Sequence, residues 1–315
     1  MKIVILDEST FNHGDIDFSE LQKFGDVIAY DWTKKDEIVN RVKDADIVFT
    51  CSVPITKQII NAIDIKYIGI LATGYDLVDV DAAKTRGITV TNVPGYGTYS
   101  VAQMVFAQLL EICQNVAAHT ESIKKGEWAE KVWSYYKYPL IELHGKTLGI
   151  IGYGRIGHEV SKIAHAFGMN VLVYDLNKKI KDDNVQFVNL DELYESSDVI
   201  SLHCPLFDNN VQMINKNSIA KMKDGVIIIN TSRGGLISDE DLSDALNSGK
   251  VYAAGIDVFS VEPVEKSNPL LSAKNIFLTP HVGWAPREAR ERLLKIAIKN
   301  LDSYLKGQCI NVVNS

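Results

Sequence analysis

TLGIIGYGRIG, from Thr147 to Gly157, joins an apolar run to three glycines at the G-x-G-x-x-G spacing: Gly152, Gly154 and Gly157. Leu148, Ile150 and Ile151 predict a parallel strand covered on both faces, which need not alternate apolar with polar residues. An amphipathic segment begins straight after the glycines. Each glycine has a task in a dinucleotide site. The first makes a tight turn, the second lets backbone approach a pyrophosphate, and the third permits close helix–strand packing. The pyrophosphate would lie on the free N–H groups of the new helix.

The competing reading is a glycine-rich turn with no ligand, and three features count against it. Ile156, Val160, Ile163, Ala164 and Phe167 recur at helical spacing. Gly168 stands where a helix C-cap glycine belongs. A second apolar run, Val171 to Tyr174, ends in Asp175, eighteen residues beyond Gly157, where an acid meets ribose hydroxyls. Asp175 favours NAD over NADP, because a 2′-phosphate would face a like charge. Arg155 sits in the turn and belongs to the pyrophosphate region, so it does not argue for NADP.

At 315 residues the chain exceeds what one hydrophobic core usually serves, and two domains are expected. A net charge of −7 offers no basic footprint, so neither nucleic acid nor an anionic membrane is an expected partner. The start, MKIVILDES, has too short an apolar core for a signal peptide. No run approaches the ~18 apolar residues of a membrane span. Cys51, Cys113, Cys204 and Cys309 form no C-x-x-C pair, and His158 and His165 lack a third ligand, so no metal is expected. A reduced, cytoplasmic compartment is the simple expectation.

Along the first part of the chain, strands are predicted at Lys2–Leu6, Val27–Tyr30, Ile47–Thr50, Tyr67–Leu71 and Ile88–Thr91. Helices are predicted between them at Lys35–Val42, Thr56–Ala62 and Asp79–Thr85. Such alternation indicates βαβ units on a parallel sheet. The turn after the first strand, Asp7–Ser9, has no glycine fingerprint and should not bind a nucleotide. Asn92–Thr98 is a turn-rich hinge candidate. One long helix is predicted from Ser100 to about Lys125, its broad apolar face suited to burial between domains or subunits. Residues 126–146, with Trp128, Trp133, Tyr135, Tyr136 and Tyr138, predict an exposed aromatic arm. Strands follow at 148–151, 171–174, 198–202, 225–229, 251–256 and 276–279, with helices starting near Arg155, Leu190, Asn217 and Asp239. Ser238 is a good N-cap for the last. Pro286–Lys306 predicts a terminal helix that packs back on the first domain. The expected architecture is α/β, two Rossmann-like doubly wound parallel-sheet domains with a cleft between them. The expected boundaries are 1–99 plus 286–315 for a substrate domain, and 100–285 for an NAD-binding domain carrying the helix and arm 100–146.

Ligands of open α/β sheets bind beyond the carboxyl ends of the strands. Those ends carry Asn230-Thr231-Ser232-Arg233-Gly234-Gly235, then Asp257 and Glu262, then Pro280-His281-Val282-Gly283. Arg233, Glu262 and His281 are the residue types that hydride transfer to a carbonyl needs. Arg holds a substrate carboxylate bidentately and polarises the carbonyl. His is a proton donor poised near neutrality, and a carboxylate orients the imidazole and favours its protonated form.

These motifs together resemble the D-isomer-specific 2-hydroxyacid dehydrogenase family. They are GKTLGIIGYGRIG, HCPL, INTSRGGLI, GIDVFSVEP and LTPHVGWAP, with TGYDLVDVDAA and TNVPGYGTYSVAQ earlier in the chain. The last of these, with HVGWAPREARERL, most resembles the glycerate dehydrogenase (hydroxypyruvate reductase) branch. The resemblance implies Arg233, Glu262 and His281 as the catalytic trio, and NAD as cofactor. It implies Arg155 and Ile156 at the pyrophosphate, and Cys204, Pro205 and Asn210 on the adenine side. Thr231, Ser232, Arg233, Asp257, His281 and Gly283 would border the nicotinamide, Asp257 accepting from its carboxamide. Substrate would meet Ser52, Val53, Gly74, Tyr75 and Asp76, with Arg233 and His281. A small 2-oxo or 2-hydroxy acid and a homodimer built on the helix predicted at 100–125 are the implied partners. The loop Thr50–Ile55 has no Arg or Lys, where phosphoglycerate-type relatives carry a basic residue, which speaks against a phosphorylated substrate. The alternatives are a dehydrogenase for another D-2-hydroxy acid, such as D-lactate, and a dinucleotide-sensing corepressor-like scaffold.

Overall fold

A computed structural model describes residues 1–129, 133–177 and 182–315 of the chain. The chain divides into two units, Met1–Gly97 with Trp284–Ser315, and Thr98–Gly283. Each unit has its own parallel sheet with helices interleaved.

The first unit holds strands β1 (Lys2–Ile5), β2 (Asp26–Ala29), β3 (Ile47–Thr50), β4 (Tyr67–Ile70) and β5 (Thr89–Thr91), in the order β2-β1-β3-β4-β5. All neighbours pair in parallel. The central strands β3 and β4 are buried along their whole length, which is why IVFT and YIGI show no alternation. Helices α1 (Glu8–Phe11), α2 (Ser19–Gln22), α3 (Ile38–Val42), α4 (Lys57–Ala62) and α5 (Val80–Thr85) connect them. Asp79 caps α5 by accepting from Ala82 N–H. One apolar cluster joins Val4, Val48, Ile60 and Ile68; another joins Ile3, Ile5, Phe49 and Tyr67 to the terminal helix.

That terminal helix, taken out of chain order as α12 (Arg287–Leu305), adds Ala289, Leu293, Ala297 and Leu301 to the second cluster, a single stripe at four-residue spacing. Its first turn is pinned by Arg290, whose two terminal nitrogens each lie 2.7 Å from an Asp15 carboxylate oxygen. The guanidinium holds the Asp15 carboxyl well below the usual carboxylate range.

The second unit runs α6 (Thr98–Gln114), α7 (Val116–Lys124), β6 (Thr147–Ile151), α8 (Arg155–Ala166), β7 (Asn170–Tyr174), β8 (Gln186–Phe187), α9 (Leu190–Ser196), β9 (Val199–Leu202), α10 (Lys216–Lys221), β10 (Val226–Asn230), α11 (Asp239–Ser248), β11 (Val251–Ile256) and β12 (Ile276–Leu278). The strand order is β12-β11-β10-β9-β6-β7-β8, all parallel. Direction of winding reverses between β6 and β9, so a crevice opens beyond their carboxyl ends. Ser238 caps α11 by accepting from Asp241 N–H.

One sequence expectation needs correction. The single helix from Ser100 to Lys125 is two helices, α6 and α7, bent by 51°. Asn115 breaks it in the left-handed region at φ 49°, while its Nδ2 donates to Ile112 O at 3.3 Å. Asparagine tolerates that backbone through local hydrogen bonding. Much of the apolar face of α6 is covered within its own unit. Ala102, Val105, Phe106, Leu109, Ile112 and Cys113 pack with Leu148, Ile150, Val173 and Ile229 in this unit's own core. The two-residue strand β8 was not anticipated, being too short to show a period. In the aromatic segment, Trp133 and Tyr136 are exposed and Tyr135 bonds Ser122; residues 130–132 of that segment lie outside the described residues.

Asn115→Val should lower stability by about 1–2 kcal/mol, since a β-branched residue is strained at positive φ. Asn115→Gly should change it by less than about half as much. Chemical denaturation of the three proteins checks this, and equal stabilities would show that the break is not set by residue 115.

Candidate active site

The glycine turn sits at the reversal point of the second sheet. Gly152 follows β6 with φ 97°, and a Cβ there would lie 2.5 Å from Cys204 N, in the loop after β9. Only glycine lets these two loops close on each other. A Cβ on Gly157 would lie 2.3 Å from Gly152 O, so the third glycine seats α8 on the turn. At Gly154 a Cβ would meet nothing within 4 Å. The second glycine therefore borders open space at the start of α8, whose N-terminus has no side-chain cap. Asp175, at the end of β7, accepts from Tyr153 N at 2.6 Å and from Asn177 N at 2.7 Å. Arg155 is exposed and Ile156 half-buried in the first turn of α8.

On the other side of the crevice, Ser232 Oγ donates to Cys204 O at 2.6 Å, tying the loop after β10 to the loop after β9. Burial pushes the Cys204 thiol up to about 11, so it is no nucleophile at neutral pH. Asn210 spends its amide on its own loop, donating to Pro205 O at 2.9 Å and accepting from Phe207 N at 2.7 Å.

Arg233, Glu262 and His281 follow β10, β11 and β12, three adjacent parallel strands, so all three lie at the same edge of the sheet as the glycines. His281 Nδ1 lies 2.7 Å from Glu262 Oε2, and Glu262 Oε1 accepts from Phe259 N at 2.9 Å. Burial acts to raise the Glu262 carboxyl. The hydrogen bond and charge of His281, the Phe259 N–H and the charge of Arg233 outweigh it, and the carboxyl titrates below its ordinary value. A carboxylate can only accept, so Nδ1 carries a hydrogen and Nε2 is the nitrogen left to exchange a proton. Arg233 Nη1 donates to Ser232 O at 2.9 Å, and its main chain is held by Asn230, whose side chain donates to Arg233 O and accepts from Ser232 N, both at 3.0 Å.

Asp257 is 1% exposed. Its Oδ1 accepts from Thr279 Oγ1 at 2.5 Å and Val282 N at 2.9 Å, and its Oδ2 from Gly283 N at 2.9 Å. Its carbonyl accepts from His281 N at 2.7 Å. The carboxylate thus shapes the turn that presents His281, which has φ 54°.

In the first unit, Asp7 follows β1 and is fully buried. Its carboxylate accepts from the backbone N–H groups of Cys51, Ser52 and Val53 in the loop after β3. Burial pushes the Asp7 carboxyl up, against the pull of those three donors. Val53 is one of the expected substrate contacts. Its N–H is given to Asp7, its carbonyl accepts from Thr50 Oγ1 at 2.8 Å, and its side chain is 1% exposed. Ser52 is half-buried. After β4, the N–H groups of Gly74 and Tyr75 donate to no acceptor among the described residues, and the Tyr75 and Asp76 side chains are exposed.

Residues 106–283 match the family described as D-isomer specific 2-hydroxyacid dehydrogenase, NAD binding domain. A hydroxypyruvate reductase of Blautia hydrogenotrophica is 52% identical over 321 residues, covering 100% of both chains. The chain belongs to the D-isomer-specific 2-hydroxyacid dehydrogenase family. Solved structures agree with this. An acyclic imino acid reductase in complex with NADPH and D-Arg superposes at a TM-score of 0.90 with 32% identity, covering 99% of this chain and 100% of that one. A D-lactate dehydrogenase from Aquifex aeolicus, complexed with NAD and lactic acid, gives 0.86 with 29% identity, covering 100% and 99%.

This dehydrogenase is an NAD-dependent oxidoreductase acting on CH–OH groups. The residues present fit the cofactor. Gly154 leaves room beside an uncapped helix N-terminus, where a pyrophosphate is stabilised. Thr231 Oγ1, at the edge beside the turn, is buried without a partner; it and Gln108 Oε1 are the buried side-chain atoms so found among the described residues. Sequence reasoning missed Asp7 and Thr279, because each acts on backbone or on another side chain from a distant part of the chain, and it gave Asn230 no role beside Arg233. The one signal available was a polar residue directly after an apolar strand.

The dehydrogenase should favour NADH over NADPH, and Asp175→Ser should cut that preference by about tenfold, the scale of removing one like-charge contact near a surface. Ratios of kcat/KM with the two cofactors check this, and an unchanged ratio would remove Asp175 from the discrimination.

Proposed function

We propose that this dehydrogenase reduces hydroxypyruvate to D-glycerate, and glyoxylate to glycolate, with NADH. The observation that carries the chemistry is the 2.7 Å pair of His281 and Glu262 at the sheet edge that also bears the glycine turn. The choice of acid rests on the full-length likeness to a hydroxypyruvate reductase and on the loop after β3. That loop has no basic residue, and Asp7 already fills its N–H groups. A substrate phosphate would find neither a cation nor free amides there.

NADH, when bound, supplies a hydride to the carbonyl carbon. Arg233 holds the substrate carboxylate and polarises the carbonyl. His281 Nε2–H gives its proton to the carbonyl oxygen, so the ketone gains one hydride and one proton and becomes the alcohol. Glu262 holds the imidazole by Nδ1 and favours its charged form. Oxidation runs the same steps in reverse, with His281 taking the proton. The enzyme acts as a cytoplasmic homodimer; exposed Trp133 and Tyr136 are the kind of surface that a second copy covers. A molecular mass of one chain in solution would overturn the dimer.

His281→Ala should cost at least about 100-fold in kcat with hydroxypyruvate, the ordinary contribution of general acid catalysis, while NADH still binds. A rate within about threefold of wild type would reject His281 as donor. Glu262→Gln removes the carboxylate that holds Nδ1–H and should lower kcat for the reduction. An unchanged kcat would separate Glu262 from the proton transfer. Across a panel of 2-oxo acids, hydroxypyruvate should give the highest kcat/KM; pyruvate in its place would make the enzyme a D-lactate dehydrogenase.

A further inference from the structure

Gln108 lies on α6, 5% exposed, far along the chain from every residue so far given a role in the reaction. Its Nε2 donates to Thr279 Oγ1 at 3.1 Å. Thr279 Oγ1 in turn lies 2.5 Å from Asp257 Oδ1. Asp257 holds Val282 N and Gly283 N with its carboxylate, and His281 N with its carbonyl. A side chain on a helix is thus linked through two partners to the turn that carries His281.

The direction of this chain is determined by chemistry. Thr279 has one hydroxyl hydrogen, and the Asp257 carboxylate can only accept it. Thr279 Oγ1 must therefore accept from its other neighbour, and only the NH2 end of Gln108 can give. Gln108 Oε1 is left pointing into protein with no partner among the described residues. A leucine of similar size would avoid that unsatisfied acceptor, so the amide is poorly explained as a stabilising choice. The sheet has also been shaped around it. A Cβ on Gly255, inside β11, would lie 2.8 Å from Gln108 Oε1 and 2.9 Å from its Cβ. Glycine within a strand is characteristic of a close approach by another group.

What the linkage holds is a turn with an uncommon backbone conformation. His281 is one of five non-glycine residues described at positive φ, and the others are all Asn or Gln. A histidine backbone there persists only when its surroundings over-determine it. We infer that Gln108 is a positioning residue for His281, acting through Thr279 and Asp257 to hold the 281–283 turn in its reactive conformation. This rests on the reading of His281 as proton donor.

The test is Gln108→Leu, with Thr279→Val and the double variant, assayed on hydroxypyruvate with NADH. Gln108→Leu should lower kcat about tenfold while KM and NADH affinity stay within about twofold, since a misplaced donor weakens the transition state and leaves ground-state binding alone. Its thermal midpoint should equal or exceed wild type, which a merely structural role would not allow. Thr279→Val should show a similar loss, and the double variant should be no worse than the poorer single, as expected for two links of one chain. Unchanged kcat in Gln108→Leu, a loss confined to KM, or losses that multiply in the double variant would each overturn the inference. If Gln108→Leu does not fold, Gln108→Met, with the same reach and no donor, carries the same expectations. His281→Ala measured alongside keeps the two readings apart. If it retains the rate, the donor assignment fails and this inference with it; if it loses the rate while Gln108→Leu does not, this inference alone fails.

Discussion

Parallel pairing is the constraint on which everything else in the molecule depends. When every strand of a sheet points the same way, every loop that follows a strand lies at one edge, however far apart the residues are in the chain. Gly152, Asp175, Cys204, Arg233, Glu262 and His281 come from six different strand ends, and the second sheet gathers them at a single edge. The reversal of winding between β6 and β9 then parts two of those loops and leaves a crevice. Antiparallel pairing would have sent half of these residues to the opposite edge.

The two sheets use the same geometry in opposite ways. In each, winding reverses beside the first strand of the sheet, between β1 and β3 in one and between β6 and β9 in the other. Backbone N–H groups collect at such a point and attract negative charge. In the second unit glycine keeps the place open for a ligand. In the first, Asp7 fills it with the protein's own carboxylate, bound by Cys51, Ser52 and Val53. Two similar folds in one chain are thereby separated into one that receives a dinucleotide and one that does not. The cost is the desolvation of a carboxylate, which three amide donors only partly offset.

Buried polarity is concentrated where the reaction is. Asp257, Asn230 and Thr231 are each at most 8% exposed, and all lie at or just past strand ends of the second sheet. Asp257 and Asn230 are bonded to backbone or to Thr279, shaping the turns that carry His281 and Arg233. Groups of this kind stabilise a fold little, because their desolvation nearly cancels what their hydrogen bonds return. Their effect is to make one loop conformation the only satisfied one.

The sequence by itself determined the α/β class, the parallel sheets, the glycine turn with the carboxylate at the end of the next strand, and the family. These are local patterns: unbroken apolar runs, helical periodicity, and glycines where a side chain would collide. It also gave Glu262 and His281 their joint role, a carboxylate orienting an imidazole. Tertiary structure alone decided that they meet at 2.7 Å, that Asp7 commits the amides of the loop holding Val53, and that α6 and α7 part at Asn115. It decided too that Gln108 reaches Thr279. The physical reason is the same in each case. A hydrogen bond between side chains depends on distance in space, and 171 residues separate Gln108 from Thr279. No spacing or composition signals such a partner until the sheet has brought the two together.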